Sequence, residues 1–231
     1  ILNINYNMRS FIKIILIVNI AFAMTGYELA TLMKEISKPI DTQSESSMIL
    51  TNKKGKKKNL KLISKSKDDS KKQMIWFLEP KDDYGISFLK IEQDNGDDFM
   101  NMWLPGFNKF RRISSQKKSD SFMGSDLSFE DMTNRELDEY TYSILQKDLL
   151  CYEDNEDSDL SSIINSTQRC YLLESRPIDK DSEYSKHITW VNKKSFLSLK
   201  EESYDKENKI LKKKSIKYKK IDNYNIMNEL F

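Results

Sequence analysis

Residues 73–79, QMIWFLE, restrict the fold more than any other stretch. In an extended strand successive side chains point to opposite faces. Met74, Trp76 and Leu78 then share one face, and Ile75 and Phe77 share the other. A sheet with one wet face needs only one apolar side, so this strand calls for cover on both. Pro80 ends it. Similar strand-length segments surround it, at residues 46–51, 59–66, 84–92, 99–104, 109–113, 140–150, 169–176, 186–192, 196–204 and 209–221. Short turns join many of them: Lys53-Lys54-Gly55-Lys56, Asp94-Asn95-Gly96-Asp97, Pro105-Gly106, Asn192-Lys193-Lys194 and 205–208. Turns this tight give antiparallel pairing. The pattern predicts a mainly antiparallel β protein of about ten or eleven strands, and 231 residues suit a single domain of that kind.

One helix precedes the strands. Within residues 25–37, Leu29, Leu32, Met33 and Ile36 recur at helical spacing, and Pro39 stops the run. After it, the apolar strand faces invite two readings. Met74, Trp76 and Leu78, with Met100, Met102 and Leu104, form a methionine-rich set. Methionine adapts to irregular apolar partners, so the set is either ordinary core or a surface for acyl chains.

Residues 103–132 hold a second concentration of unusual residues. Proline presets φ and glycine accepts φ > 0, so Pro105-Gly106 reads as a turn between two strands. Arg111 and Arg112 point to opposite faces, and whichever faces inward must find a carboxylate or carbonyls. Asp126, Glu130 and Asp131 are the candidates. On that reading an arginine anchors residues 121–131 so that Phe122 and Met123 cap the apolar face. The simpler alternative is a solvated hairpin with a surface loop.

Residues 8–23 read as a secretory signal: Arg9 and Lys13 form a basic region, residues 14–22 an apolar one, and Ala21-Phe22-Ala23 a cleavage site. The apolar run is shorter than the ~20 residues a membrane span needs. The division is therefore 1–23, upstream residues and signal, and 24–231, an exported domain. Loss of Arg9 and Lys13 leaves 36 basic residues against 36 acidic ones. That balance argues against a nucleic-acid partner, which favours a basic domain. Lysines 53, 54 and 56 read as a solvated tip, with anionic lipid headgroups as the sharper alternative.

The chain offers little for catalysis. His187 is the only histidine, and there is no G-x-S-x-G, phosphate loop or C-x-x-C. No enzyme activity, metal site or cofactor is expected. The two cysteines, Cys151 and Cys170, bracket an acidic, serine-rich loop. In an exported chain they are candidates for a disulfide; the alternative is two buried thiols.

Several of these motifs also carry a resemblance. Trp103, Pro105, Lys109, Arg111, Arg112, Ile113 and Ser114, followed by Ser121, Phe122, Met123, Gly124, Ser125, Asp126, Ser128, Glu130 and Asp131, are similar to the central motif of the outer-membrane lipoprotein-sorting proteins of the LolA-like superfamily, in particular an uncharacterised spirochaete-type subgroup. Phe77-Leu78-Glu79-Pro80 with Gly85, the run 137–142, Cys170-Tyr171 and Trp190-Val191 extend the match over residues 27–222. The resemblance implies an incomplete, half β-barrel with a helical lid over an apolar cavity, here without the family's C-terminal strands. It implies a non-enzymatic, monomeric periplasmic carrier of lipid or lipoprotein acyl chains. An accessory module docking to an inner-membrane exporter is the alternative. The implied lipid-contacting residues are Met74, Trp76, Leu78, Phe88, Met100, Met102, Leu104, Phe122 and Met123.

Overall fold

The computed structural model describes residues 23–93, 96–151 and 168–231. Residues 8–22 of the expected signal, Asp94 and Asn95 of the expected hairpin turn and most of the acidic loop lie outside these residues. Helix α1 spans Gly26–Lys34. Thr25 caps it by accepting from the Glu28 N–H, while the Glu28 carboxylate accepts from the Thr25 N–H. This reciprocal box satisfies N–H groups that a helix start leaves unpaired. Gly26 has no side chain because none fits: a Cβ there would stand 2.6 Å from the backbone of Tyr142.

Twelve strands follow: β1 Asp41–Thr51, β2 Lys57–Lys67, β3 Lys72–Glu79, β4 Ser87–Ile91, β5 Phe99–Leu104, β6 Lys109–Ile113, β7 Tyr140–Leu150, β8 Arg169–Pro177, β9 Lys186–Asn192, β10 Ser198–Tyr204, β11 Ile210–Ile221 and β12 Tyr224–Leu230. They form two six-stranded sheets, each an antiparallel succession of neighbours, β1 to β6 and β7 to β12. The fold is mainly β and does not close into a barrel. The count exceeds the sequence reading by β12, which pairs with β11 from Ile221↔Tyr224 outward. Asp222, at φ 52°, turns the chain between them. The turn at Pro105 also differs in detail. Pro105–Phe107 is a 3-10 turn, and it is Asn108, at φ 47°, that takes the left-handed conformation rather than Gly106.

The register corrects the expected apolar face. Directly paired residues share a face of a sheet. Ile75 pairs with Phe88, and Phe88 with Met102. Met74 pairs with Leu89, and Leu89 with Asn101. Met74, Trp76 and Leu78 therefore stand on one face of the first sheet, and Phe88, Met100, Met102 and Leu104 on the other. The single surface read from the sequence is two surfaces, because strand pairing decides which parity of one strand joins which parity of the next.

The inner face, carrying Phe77, Phe88, Met100 and Met102, holds the main core together with Leu60, Leu62, Ile75 and Ile113. Helix α1 covers the second sheet instead, with Leu29 and Ala30 packed on Leu173 and Val191. Cys151 and Cys170 are disulfide-bonded, with Cα atoms 5.2 Å apart, and pack with Leu199.

Candidate functional site

Residues 114–139 run between β6 and β7 without forming a strand of either sheet. Their most compact part folds on itself. The Phe122 N–H donates to the Leu127 carbonyl at 2.7 Å, and Ser125 N–H to the Phe122 carbonyl at 3.0 Å. Met123 and Gly124 both have positive φ, 55° and 79°. For Gly124 this is free of strain; Met123 is held there by its surroundings. The turn drives Phe122 and Phe129 into the first sheet's core. Their ring centroids lie 5.7 Å apart and within 5.8 Å of Phe88, where edge and tilted contacts add to plain burial.

The same segment reaches the second sheet through charge. Asp131 accepts from Lys214 Nζ at 2.6 Å and Lys212 Nζ at 2.8 Å. It also accepts from the Ser128 N–H at 2.9 Å and the Tyr184 hydroxyl at 3.0 Å. Arg135 forks onto Glu201 at 2.6 and 2.9 Å, the bidentate arrangement that planar guanidinium favours. Lys212 further meets Glu183 at 3.0 Å. Burial alone would push the Asp131 carboxyl up, but the two ammonium groups outweigh it and hold it well below the usual carboxylate range. Glu201 is held low in the same way, by Arg135 and then Lys214 against its own burial. Three bases and three acids balance, so the cluster carries no net charge.

His187 lies at the centre, fully buried. Its Nδ1 is 3.3 Å from Arg135 and 2.8 Å from the Ser203 hydroxyl. A guanidinium only donates, so Nδ1 accepts and the proton sits on Nε2. That nitrogen has no hydrogen-bond partner among the described residues, and the Tyr184 ring lies 4.5 Å from the imidazole. Burial, then the charge of Arg135, lowers His187 to about 3. It is a neutral core residue at neutral pH.

The anchor expected for residues 121–131 differs from the one found. Arg111 pairs with exposed Asp120 at 3.1 Å, and Arg112 lies over the Phe99 ring. The expected partners go elsewhere. Asp131 takes Lys212 and Lys214, Glu130 accepts from the Ser182 hydroxyl and the Glu183 N–H, and Asp126 is exposed. The physical reason is that β6 is an edge strand, so its arginines reach solvent. The inward bases are Lys90, Lys212 and Lys214. Lys90, fully buried, bonds Glu92 at 2.6 Å and donates to the Met132 carbonyl at 2.8 Å. In residues 209–221 the alternation of lysine with Ile and Tyr marks a half-exposed strand, but it does not say that Lys212 and Lys214 look inward.

Among the expected lipid-contacting residues, Phe88, Met100, Met102 and Phe122 are buried in the first sheet's core, and Leu104 and Met123 pack against it. Met74, Trp76 and Leu78 stand on the opposite face, only partly buried. There Met74, Trp76, Leu89 and Ile91 line a cleft of about 600 Å³ bordered by Asp41, Gln43, Lys65, Lys67 and Lys72. The apolar surface continues across the strands. Trp76 pairs with Ser87 and Ser87 with Trp103, and the Trp103 and Phe110 rings meet at a tilt with centroids 4.8 Å apart. Gly85 and Pro105, both named in the sequence motifs, touch beside it: a Cβ on Gly85 would lie 3.6 Å from the proline ring. A smaller, more polar pocket of about 260 Å³ lies under α1, lined by Met33, Leu137, Tyr140, Arg135 and Glu201.

A family model described as "Uncharacterized protein" matches residues 69–230. No curated protein matches the sequence. Among solved structures, a DUF1329 family protein from Desulfovibrio piger is 32% identical, with a TM-score of 0.75 over 89% of this chain and 83% of that one. A domain from Vibrio parahaemolyticus named as an outer membrane lipoprotein-sorting protein domain is 28% identical, with a TM-score of 0.77 over the same shares. A LolA superfamily protein from Nitrosomonas europaea, 18% identical, shares the fold with a TM-score of 0.65 over 90% of this chain and 84% of that one. The chain belongs to the DUF1329 family, and it shares the fold of a LolA superfamily protein.

Proposed function

We propose that the protein is a periplasmic, non-enzymatic carrier that shields the acyl chain of a lipid or lipoprotein on its way to the outer membrane. The observation that carries this reading is the first sheet's second apolar face. One face is filled by its own core, Phe122 and Phe129 included. The other leaves Met74, Trp76, Leu89 and Ile91 as the floor of an open cleft of about 600 Å³. That size falls in the ~300–1,000 Å³ range of sites for single small ligands. Each methylene taken from water onto such a floor gains ~0.8 kcal/mol, so a chain of ordinary lipid length binds without any covalent step. The similarity to a lipoprotein-sorting domain supports the same conclusion. Leu78, on the same face, extends the floor.

A second reading, docking to an inner-membrane exporter, has one observation in its favour. Phe107 and Phe110, on and after the β5–β6 turn, are 73% and 71% exposed. The experiment is titration of a neutral fluorescent acyl probe. Replacing Leu89 by Asp puts a charge on the cleft floor without touching the inner core, and is expected to weaken binding at least tenfold. Phe110→Ala is expected to leave it unchanged. Equal affinities in wild type and Leu89→Asp would remove the cleft from the mechanism, and loss of affinity in Phe110→Ala alone would move the site to the aromatic hairpin.

A further inference from the structure

The cleft has a polarity as well as a floor. Three lysines, Lys65, Lys67 and Lys72, border it against a single carboxylate, Asp41. Lys72 is already paired with Asp68 at 2.7 Å. Lys65 and Lys67 make no ion pair among the described residues, and both are exposed. They sit two residues apart on β2 and therefore on one face, ~7 Å apart along the strand. Their cross-strand partners on β3 are Met74 and Lys72, the first part of the floor and the second part of the rim, and on β1 they are Gln43 and Asp41. Two exposed ammonium groups thus stand over one end of an apolar trough, Lys65 opposite the uncharged Gln43 and Lys67 opposite Asp41 and beside Asp68.

We propose that this cleft selects an anionic single-chain amphiphile, its chain on Met74, Trp76, Leu89 and Ile91 and a phosphate between Lys65 and Lys67. The inference rests on the carrier reading above and adds the headgroup. Lysine binds phosphate as a point charge on a flexible stem, and its methylenes lie along apolar surface while the ammonium stays in water. Neither demands a preformed fork. The buried charges around Asp131 are no rival site, because Lys212, Lys214 and Arg135 are each taken up by carboxylates of the protein itself.

The test compares two probes of equal chain length, a monoacyl glycerophosphate and the corresponding monoacylglycerol, titrated below their micellar concentrations into the full chain. The phosphate-bearing probe is expected to bind at least tenfold tighter at low salt, with the preference shrinking as salt screens the lysines. A Lys65→Gln/Lys67→Gln variant is expected to bring the ratio below threefold while monoacylglycerol affinity stays constant. Lys53→Gln/Lys54→Gln, an equal charge change at the exposed β1–β2 turn, is expected to keep the full preference. Equal wild-type affinities for the two probes would overturn the headgroup assignment and leave the carrier reading standing. Failure of both probes to bind would overturn the two together. A preference lost equally in the turn variant, or indifferent to salt, would show general attraction rather than a site, and would also overturn it.

Discussion

At the scale of single residues, the interior is governed by how buried ionisable groups are matched. His187 is fully buried and neutral, held down to about 3 by burial and by Arg135. In the unfolded chain an imidazole titrates near ~6.5. The unfolded state therefore takes up a proton that the folded state refuses, and stability falls as pH drops from ~6.5 towards 3. Asp131 and Glu201 act in a lower window. Their folded pKa values are depressed, so the stability they contribute is present above ~4, the ordinary carboxylate value, and is lost as pH falls below it. Denaturant titrations at pH 7.5, 6.0 and 5.0 should show this as a decline of up to ~1.4 kcal/mol per pH unit. His187→Gln should flatten the decline between pH 7 and 5. Parallel curves for variant and wild type would mean that His187 is not the group responsible.

At the scale of elements, β7 and β8 are the pair most dependent on a covalent link. Their register shifts between Ile144 and Gln146 and again before Leu149. Beyond these irregularities Cys151 and Cys170, 19 residues apart, are joined. Constraining a loop of that size in the unfolded chain stabilises by ~3 kcal/mol. Cys151→Ser/Cys170→Ser should lower the unfolding free energy by about that much, with circular dichroism unchanged, since Tyr140↔Pro177 to Ile144↔Leu173 still set the pairing. An unchanged denaturation midpoint would show that the strands alone define this hairpin.

At the scale of the whole molecule, the two sheets are joined by one irregular segment with two chemistries. Phe122 and Phe129 bury themselves in the first sheet, while Asp131 and Arg135 are held by Lys212, Lys214 and Glu201 of the second. Lys90 and Glu92 fix the segment from the first sheet as well, the latter by accepting the Asn134 N–H at 2.8 Å. Such a joint couples the sheets. Phe129→Ala should cost ~3–5 kcal/mol, the usual range for deleting a buried aromatic. It should lower near-UV and far-UV transitions together, as one cooperative unit. Loss of the first sheet's signal ahead of the second's would mean that the sheets fold independently.

The sequence determined much of this by itself, because strand and turn signals are local. The bounds of β5, β6, β7 and β9 follow from alternation and turn residues, and the Tyr224–Leu230 strand was there to be read after Asp222-Asn223, a turn pair. The cysteine pair was a fair candidate from their number and place. The LolA-like fold was legible in the ordered motif from Trp103 to Asp131. What local patterns do not contain is which face of one strand joins which face of the next. Only the pairing of Met74 with Leu89, and of Phe88 with Met102, split the methionine-rich set into a packed core and an open cleft. The same holds for charge. Arg111 and Arg112 looked like the buried anchors because they adjoin the segment in sequence, yet an edge strand leaves them in water. Lys212 and Lys214, some eighty residues beyond Asp131, take that place because β11 brings them beneath it. Parity along a strand is written in the chain, but its partner across the sheet is decided only when the sheet forms.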